Sequence, residues 1–184
     1  MTDWNAMVHD EGPAVWRTLW RLLANRADAD DCFQETFLAA LTYSRGQREV
    51  HNWSALLQKI ATTRAVDRLR QRYRSRRRNG TALDPPGDDD LADALPSHRP
   101  GPMQNAVASE LSEQLRRALC GLARQQAEAF CLHALSGWSY EEISRQTGMS
   151  SSAVGVNIHR ARQQLRELLG GQARTGEASE VCHD

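Results

Sequence analysis

Residues 137–162, with the sequence GWSYEEISRQTGMSSSAVGVNIHRAR, decide the fold of the C-terminal half of the chain. Ser139 and Glu142 form an S-x-x-E capping box, which satisfies two backbone donors where a helix begins. Gly148 predicts the end of that helix near Thr147, because glycine adopts the left-handed C-cap conformation without strain. Ser150 is a good N-cap for a second, longer helix. The stretch therefore predicts a helix-turn-helix.

The second helix of this motif has two distinct faces. The apolar face, predicted to be buried, comprises Val154, Ile158, Ala161, Leu165 and Leu168. The opposite face carries Ser151, Ser152, Gly155, Asn157, His159, Arg160 and Arg162. A longer helix with a polar outer face has the geometry that fills a DNA major groove, and the spacing favours this interpretation. The alternative is a plain αα-hairpin with a solvated surface.

The N-terminal half also shows helical periodicity and no β-alternation of useful length. A first helix is predicted to begin at Pro13, since proline is favoured at the first helical position. A second runs from Asp28 to Leu41, and its acidic first turn suits the positive end of a helix. A third begins at Asn52, a good N-cap. Thr42 to His51 is predicted to be a polar surface loop.

Residues 79–103 separate the two halves and have the composition of a linker. They contain five prolines, three glycines and five aspartates, which together oppose a packed core. We therefore predict an all-α fold, with two small helical domains joined by a flexible linker and a helix-turn-helix in the C-terminal one. The predicted N-terminal lobe is 1–78, the linker is 79–103, the C-terminal lobe is 104–170, and 171–184 is a disordered tail.

Arginines are concentrated towards the end of the N-terminal lobe. From Arg64 to Arg78 the chain carries eight arginines and a single acidic residue, Asp67. Like charges this close repel each other and destabilise an isolated helix. A polyanion relieves that repulsion, and the release of its counterions drives binding. The run therefore favours contact with phosphates over a face that is merely solvated.

Other classes of protein find little support in the sequence. The four cysteines are scattered, with no C-x-x-C pair, and neither a metal site nor a nucleophile motif is indicated. Cys32 and Cys131 occupy apolar helical positions and are interpreted as small hydrophobic residues. No apolar run is long enough to span a bilayer. We expect no catalytic residue, metal or cofactor, no membrane insertion, and a cytoplasmic location with reduced thiols.

Three strings resemble the extracytoplasmic-function (ECF) sigma factors of bacterial RNA polymerase. Residues 28–38, DADDCFQETFL, are similar to the helix by which that family grips core polymerase. Residues 53–61, WSALLQKIA, and 65–70, AVDRLR, resemble the family's promoter-melting helix. Residues 137–143, GWSYEEI, with 158–162, IHRAR, resemble the helix-turn-helix that reads the upstream promoter box. The strings occur in family order, one after another, across both lobes.

The resemblance implies a non-enzymatic promoter-specificity factor whose partners are core RNA polymerase, promoter DNA and an anti-sigma factor. It implies core-polymerase binding by Asp31, Gln34, Glu35, Phe37 and Leu38. It implies downstream-box binding by Asn52, Trp53, Arg64, Arg68 and Arg72. For the upstream box it implies Ser151, Ser152, Gly155, Val156, Asn157, His159, Arg160 and Arg162. A stand-alone helix-turn-helix regulator is the alternative, and it leaves the first two strings without a task.

Two further expectations follow from this resemblance. Ala153, Gly155, Val156 and Asn157 stand where the family often has threonine and then basic or hydroxylated residues, so the upstream preference is expected to be unusual. Gly155 inside a helix also costs about 1 kcal/mol relative to alanine. The linker can extend well beyond one DNA turn of about 34 Å, so we expect the two lobes to sit on separate promoter boxes at once.

Overall fold

The computed structural model describes residues 3–46, 50–79 and 102–176, with side chains over 3–46, 50–78 and 108–170. Within these ranges the chain forms helices and turns and contains no strand, which confirms the predicted all-α fold. The helices are α1 Trp4–Leu23, α2 Arg26–Arg45, α3 Trp53–Asn79, α4 Pro102–Gly121, α5 Arg124–Ser136, α6 Tyr140–Thr147 and α7 Ser151–Gly176. No helix of the described part combines the length and the hydropathy needed to cross a membrane.

The first helix begins earlier than the position of its proline suggested. Asp3 is the N-cap of α1, and its carboxylate accepts hydrogen bonds from the backbone N–H groups of Asn5 and Ala6 at 3.0 and 3.2 Å. Pro13 therefore lies inside the helix, and the prediction that it marks the start was wrong. Proline removes one backbone hydrogen bond there, and the side-chain cap supplies hydrogen bonds at the true start.

The second helix is longer than predicted at both ends. Asn25 caps its start by accepting from the Asp28 N–H at 2.9 Å. The helix continues through Thr42, whose hydroxyl donates to the Leu38 carbonyl at 2.9 Å, and ends at Arg45. The predicted loop over Thr42–His51 is therefore helical in its first part. Residues 47–49 of that loop lie outside the described residues.

The long helix α3 lies at the centre of the molecule. It begins as predicted after Asn52, whose side-chain oxygen accepts from the Ala55 N–H at 2.9 Å. One face is buried at Leu57, Ala61, Ala65 and Leu69, which recur every four residues. This spacing places all four on one side of a helix, and α1 and α2 pack on α3 as the N-terminal lobe.

The helix-turn-helix forms with the predicted caps. The Ser139 N–H donates to Glu142 at 2.8 Å, and the Glu142 N–H donates back to Ser139 Oγ at 3.3 Å. Gly148 ends α6 at a φ of 76°, in the left-handed region. Ser150 Oγ accepts from the Ala153 N–H at 3.2 Å and starts α7.

The apolar face of α7 is buried as predicted except at its last member. Val154, Ile158, Ala161 and Leu165 are buried, whereas Leu168 is 46% exposed. A straight α-helix drifts by about 20° per heptad. The seven-residue spacing from Val154 through Ala161 therefore rotates Leu168 away from the core.

Helices extend into two segments that were predicted to be non-helical, the linker and the C-terminal tail. Helix α3 ends at Asn79 and α4 begins at Pro102, so both ends of the predicted linker 79–103 are helical. Residues 80–101 lie outside the described residues. Helix α7 continues to Gly176, so residues 171–176 are helical and not disordered as predicted. Extending a helix that has already formed is easier than starting a new one. Residues 177–184 of the predicted tail lie outside the described part.

The two lobes pack against each other through α3. A single hydrophobic cluster includes Leu69 of the N-terminal lobe together with Leu119 and Leu122 of the C-terminal lobe. Helices α4 and α5 lie on the side of α3 that α1 and α2 leave open. The linker prediction treated the lobes as separate bodies joined by a flexible segment. In the structure, the two lobes pack against each other, and we call this arrangement closed.

Candidate functional site

An apolar groove lies open on the surface between α1 and α2. Its lining includes Val8, Phe33, Phe37 and Leu38, of which Leu38 is 62% exposed and Val8 39% exposed. The Phe33 ring packs against Phe37, with centroids 4.9 Å apart, which gives the groove an aromatic floor. Such a patch of exposed apolar side chains marks an interaction surface.

Of the residues that the family resemblance assigns to polymerase binding, three line this groove and two lie beside α3. Gln34, Phe37 and Leu38 line it. Asp31 and Glu35 are instead turned towards Arg68, which donates to them at 3.3 and 3.2 Å. Helix α2 therefore presents an apolar surface flanked by paired carboxylates.

The arginines assigned to the downstream box face the same carboxylates. Arg64 lies 3.6 Å from Glu35. Arg68 also approaches Asp28 at 3.4 Å, and Arg72 reaches that carboxylate at 3.8 Å. The structure thus joins two predicted sites, the acidic face of α2 and one arginine face of α3, in a single ion-pair network. Spacing along each helix placed the residues on faces, but only the packing of α2 on α3 brings the faces together.

A second arginine face of α3 points into a cleft between the lobes. Arg70, Arg74, Arg77 and Arg78 line this cleft together with Arg124, the first residue of α5. Asp67 is also in the lining, and it accepts from Arg124 at 2.8 Å. We call these residues the interlobe arginine cleft. The sequence showed the arginine run, but it gave no signal that Arg124 would join it.

Side-chain hydrogen bonds also connect the lobes around this cleft. Thr63 donates to Glu128 at 2.7 Å, and Arg70 donates to the Leu122 carbonyl. The Tyr73 hydroxyl donates to Glu113 of α4. Burial alone would raise the pKa of Glu113, but the hydrogen bonds from Tyr73 and Arg116, with the charges of Arg116 and Arg117, hold that pKa below its usual value.

Asn52 and Trp53, both assigned to the downstream box, have different surroundings, and of the two it is Asn52 that lines a second cleft between the lobes. Asn52 lines it together with Trp138, Arg145 and Gln146 near and within α6. The Trp53 ring instead packs edge-on against Trp4, with centroids 5.3 Å apart. Sequence reasoning missed Arg145 and Gln146, because nothing along the chain indicates that α6 faces the loop before α3.

The outer face of α7 is exposed at most of its predicted DNA-contacting positions. The exposed residues are Ser151, Ser152, Val156, His159, Arg160 and Arg162. Asn157 is half-buried and donates to the Met149 sulfur at 3.5 Å. Gly155 lies beneath the Tyr140 ring, because a Cβ built there would be 3.5 Å from that ring. The exposed surface of α7 therefore comprises a subset of the predicted residues.

Two of the three cysteines among the described residues are buried. Cys32 and Cys131 are each 1% exposed, which confirms the interpretation that they behave as small hydrophobic residues. Burial raises the pKa of Cys32 to about 11 and that of Cys131 to about 12, so both are thiols at neutral pH. Over the same part of the chain, no group of three or more potential ligands is placed to hold a metal ion.

Comparison with known proteins identifies the family. A family model described as Sigma-70 region 2 matches residues 7–75, and one described as Sigma-70, region 4 matches residues 112–165. The RNA polymerase sigma factor CarQ of Myxococcus xanthus is 35% identical over 86% of this chain and 84% of its own length. The ECF RNA polymerase sigma factor SigE of Mycolicibacterium smegmatis is 34% identical over 92% of this chain, which spans 62% of that relative.

The chain belongs to the ECF sigma factors. Sigma factors of this family direct promoter-specific initiation by RNA polymerase and are regulatory rather than catalytic proteins. Each matched range falls within one lobe: the region 2 range lies within α1 to α3, and the region 4 range runs from the middle of α4 into α7. Membership of the family replaces the alternative of a stand-alone helix-turn-helix regulator.

A solved structure shares the fold of this sigma factor. The sigma factor RpoE of Bartonella quintana, crystallised in complex with the anti-sigma factor NepR, superposes with a TM-score of 0.55. It is 23% identical, and the superposition covers 92% of this chain and 98% of RpoE.

Proposed function

We propose that this sigma factor docks on core RNA polymerase through the groove between α1 and α2. The observation that carries the proposal is the exposure of Leu38, 62% in a groove whose floor is aromatic. Phe37 and Gln34 lie in the same groove, and Asp31 and Glu35, each paired with Arg68, form a polar edge beside it. An apolar centre with a charged rim is the usual anatomy of a protein interface.

We further propose that the exposed face of α7 enters the major groove of the upstream promoter box. Arg160 and Arg162 are positioned to contact phosphates or guanine edges, and Ser151 and Ser152 lie at the N-terminus of the helix, where backbone N–H groups attract phosphate. Because Gly155 and Asn157 are engaged within the motif, base readout falls to their exposed neighbours, Val156 and His159.

Downstream-box binding is assigned to Asn52, Trp53 and the arginines of α3. Arg64, Arg68 and Arg72 are paired with carboxylates of α2, so DNA phosphates must compete with those ion pairs. Arg70 is held by the C-terminal lobe through the Leu122 carbonyl. Full access of DNA to α3 therefore requires the lobes to separate, while the chain between α3 and α4 keeps them covalently tethered.

The remaining assignments follow from this role. RpoE, the structural relative, binds an anti-sigma factor, and we propose a partner of that class for this chain. We also propose that the chain has no enzymatic activity, needs no cofactor, and acts in the cytoplasm with the polymerase.

Substitution of Leu38 by serine tests the docking surface. We expect Leu38→Ser to weaken binding to core polymerase by about tenfold or more, since a central apolar contact is lost. Run-off transcription from genomic fragments should fall in parallel. Leu111→Ser on α4 is the matched control, because Leu111 is 57% exposed and lies outside the groove. Unchanged core binding by a folded Leu38→Ser variant contradicts the proposal.

A gel-shift measurement with duplex promoter DNA tests the need for polymerase. The chain alone should bind weakly, and the complex with core polymerase should bind tightly. Tight and sequence-specific binding by the chain alone would contradict the proposal that promoter binding requires core polymerase.

A further inference from the structure

We propose that the interlobe arginine cleft binds a short chain of linked phosphates, such as free inorganic polyphosphate, and that this ligand holds the two lobes closed. The proposal rests on the function given above only for its consequence in transcription. The site itself is built from residues of the free chain. Its lining comprises Arg70, Arg74, Arg77 and Arg78 of α3 with Arg124 of α5, and Asp67 and Gln71.

Among the described residues, the positive charge of the cleft is not balanced by neighbouring carboxylates. The other arginine face of α3 is neutralised by carboxylates of α2. Among the described residues that line the cleft, Asp67 is the single carboxylate, and Arg124 already donates to it at 2.8 Å. No described carboxylate lies within ion-pair distance of Arg70, Arg74 or Arg77. Arginines that share a cleft repel each other, and a bound polyanion offsets that repulsion.

The geometry favours several linked phosphates over a single anion. From Arg70 to Arg78 the axis of α3 rises by about 12 Å. One phosphate cannot contact guanidinium groups spread over that length, whereas a chain of phosphates can contact each in turn. Guanidinium groups also bind phosphate oxygens in a bidentate manner.

The C-terminal lobe completes the site. Arg124 is the first residue of α5, where the helix dipole is positive and where Ala123 provides no side-chain cap. Both features make this end of α5 favourable for an anion. Arg70 donates to the Leu122 carbonyl, while its Nε is buried and has no hydrogen-bond partner in the protein. Because Arg124 and Leu122 belong to one lobe and Arg70 to the other, the complete cleft exists only when the lobes are closed.

A ligand that binds only the closed arrangement stabilises that arrangement. Free polyphosphate in the cleft should therefore oppose promoter engagement, which requires the lobes to separate. A DNA backbone offers the same chemical groups, but it engages α3 after the C-terminal lobe has moved away. Dependence on Arg124 consequently distinguishes free polyphosphate from nucleic acid.

Calorimetric titration of the full chain with sodium tripolyphosphate tests the proposal. Arg124→Gln should weaken tripolyphosphate binding by about tenfold, as expected for loss of a charge-assisted contact. Arg17→Gln is the matched control, because it removes the same charge from an exposed position of α1 outside the cleft. Its affinity should equal that of the wild type. Titration of the wild type with sodium sulfate in place of tripolyphosphate, at equal ionic strength, should show no comparable binding.

Three outcomes would overturn the proposal. The first is equal binding by wild type and Arg124→Gln. The second is an equal loss in Arg17→Gln, which would indicate nonspecific charge screening. The third is a similar dependence on Arg124 for a single-stranded oligonucleotide of matched charge, which would make nucleic acid the ligand.

Transcription separates this proposal from the proposed function. With core polymerase, tripolyphosphate should inhibit run-off initiation by the wild type and should inhibit Arg124→Gln several-fold less at the same ionic strength. Initiation without tripolyphosphate measures sigma activity by itself. If the wild type does not support initiation without tripolyphosphate, the proposed function is rejected. If tripolyphosphate inhibits the wild type and Arg124→Gln equally, the cleft is not the cause of the inhibition.

Discussion

At the residue scale, two glycines of the helix-turn-helix serve different structural needs. Gly148 has a φ of 76° and ends α6 in the left-handed region, where a side chain is strained. Gly155 lies within α7, and a Cβ there would meet the Tyr140 ring at 3.5 Å, which is ordinary contact. The left-handed backbone at position 148 requires glycine, whereas the surroundings of Gly155 leave room for a methyl group.

The same substitution should therefore have opposite effects at these two positions. Gly148→Ala should lower the free energy of unfolding by about 1 kcal/mol because of the left-handed backbone. Gly155→Ala should raise it by roughly 0.5–1 kcal/mol, since alanine is the better helix former. Urea unfolding monitored by circular dichroism measures both. A loss of stability in Gly155→Ala would mean that the Tyr140 ring cannot accommodate the added methyl group.

At the scale of the element, α3 is a helix with two arginine faces in different environments. One face is paired with Asp28, Asp31 and Glu35 of α2. The other face lines the interlobe arginine cleft. Residues of α2 assigned to polymerase docking thus hold the arginines assigned to DNA. Contact of polymerase with α2 and contact of DNA with α3 are expected to influence each other.

Removal of one α2 carboxylate should expose this coupling. Glu35→Gln frees Arg64 and Arg68 from one partner, so the isolated chain should bind single-stranded DNA roughly two- to fivefold more tightly at low salt. Fluorescence anisotropy with a labelled oligonucleotide provides the measurement. Asp30→Asn is the control, because Asp30 lies on the same helix but pairs with Arg26 at 3.9 Å. An equal gain in both variants would indicate a general charge effect instead.

At the scale of the whole molecule, the lobes share one hydrophobic cluster and a set of polar contacts. Leu69, Leu119 and Leu122 belong to that cluster, and Tyr73 joins α3 to Glu113 of α4. Closure therefore contributes to the stability of both lobes. If the lobes open on a promoter as proposed, the free energy lost from these contacts must be offset by the contacts that polymerase and DNA supply.

The contact between Tyr73 and Glu113 should make closure sensitive to acid. The pKa of Glu113 is lowered below its usual 4.5 in the folded chain, so its contribution to stability is present above that value and is lost as pH falls through the lower, folded pKa. Glu113→Gln should be less stable than the wild type at pH 7, and the difference should shrink below about pH 4.5.

Urea unfolding between pH 7 and pH 3 measures this dependence. Glu110→Gln serves as the control, since Glu110 lies on the same helix and is exposed. A gap between wild type and Glu113→Gln that stays constant with pH would show that Glu113 does not titrate as its contacts require.

Local signals along the chain were enough to predict the all-α class, the caps of the helix-turn-helix and the resemblance to the family. Ser139, Glu142, Gly148 and Ser150 act through neighbours within a few residues, so local chemistry was sufficient to predict them. The start of α1 was missed because the cap Asp3 outweighed the signal from Pro13.

The pairing of the charged faces follows from how the helices pack and could not be predicted from the chain alone. Arg68 meets Glu35, and Arg124 meets Asp67, across helices that are far apart in the sequence. Side chains on different helices are brought together by the packing of apolar faces, and helical periodicity fixes the face of a residue but not the neighbour opposite it. For the same physical reason, the closed lobes and the interlobe arginine cleft became visible only in the folded molecule.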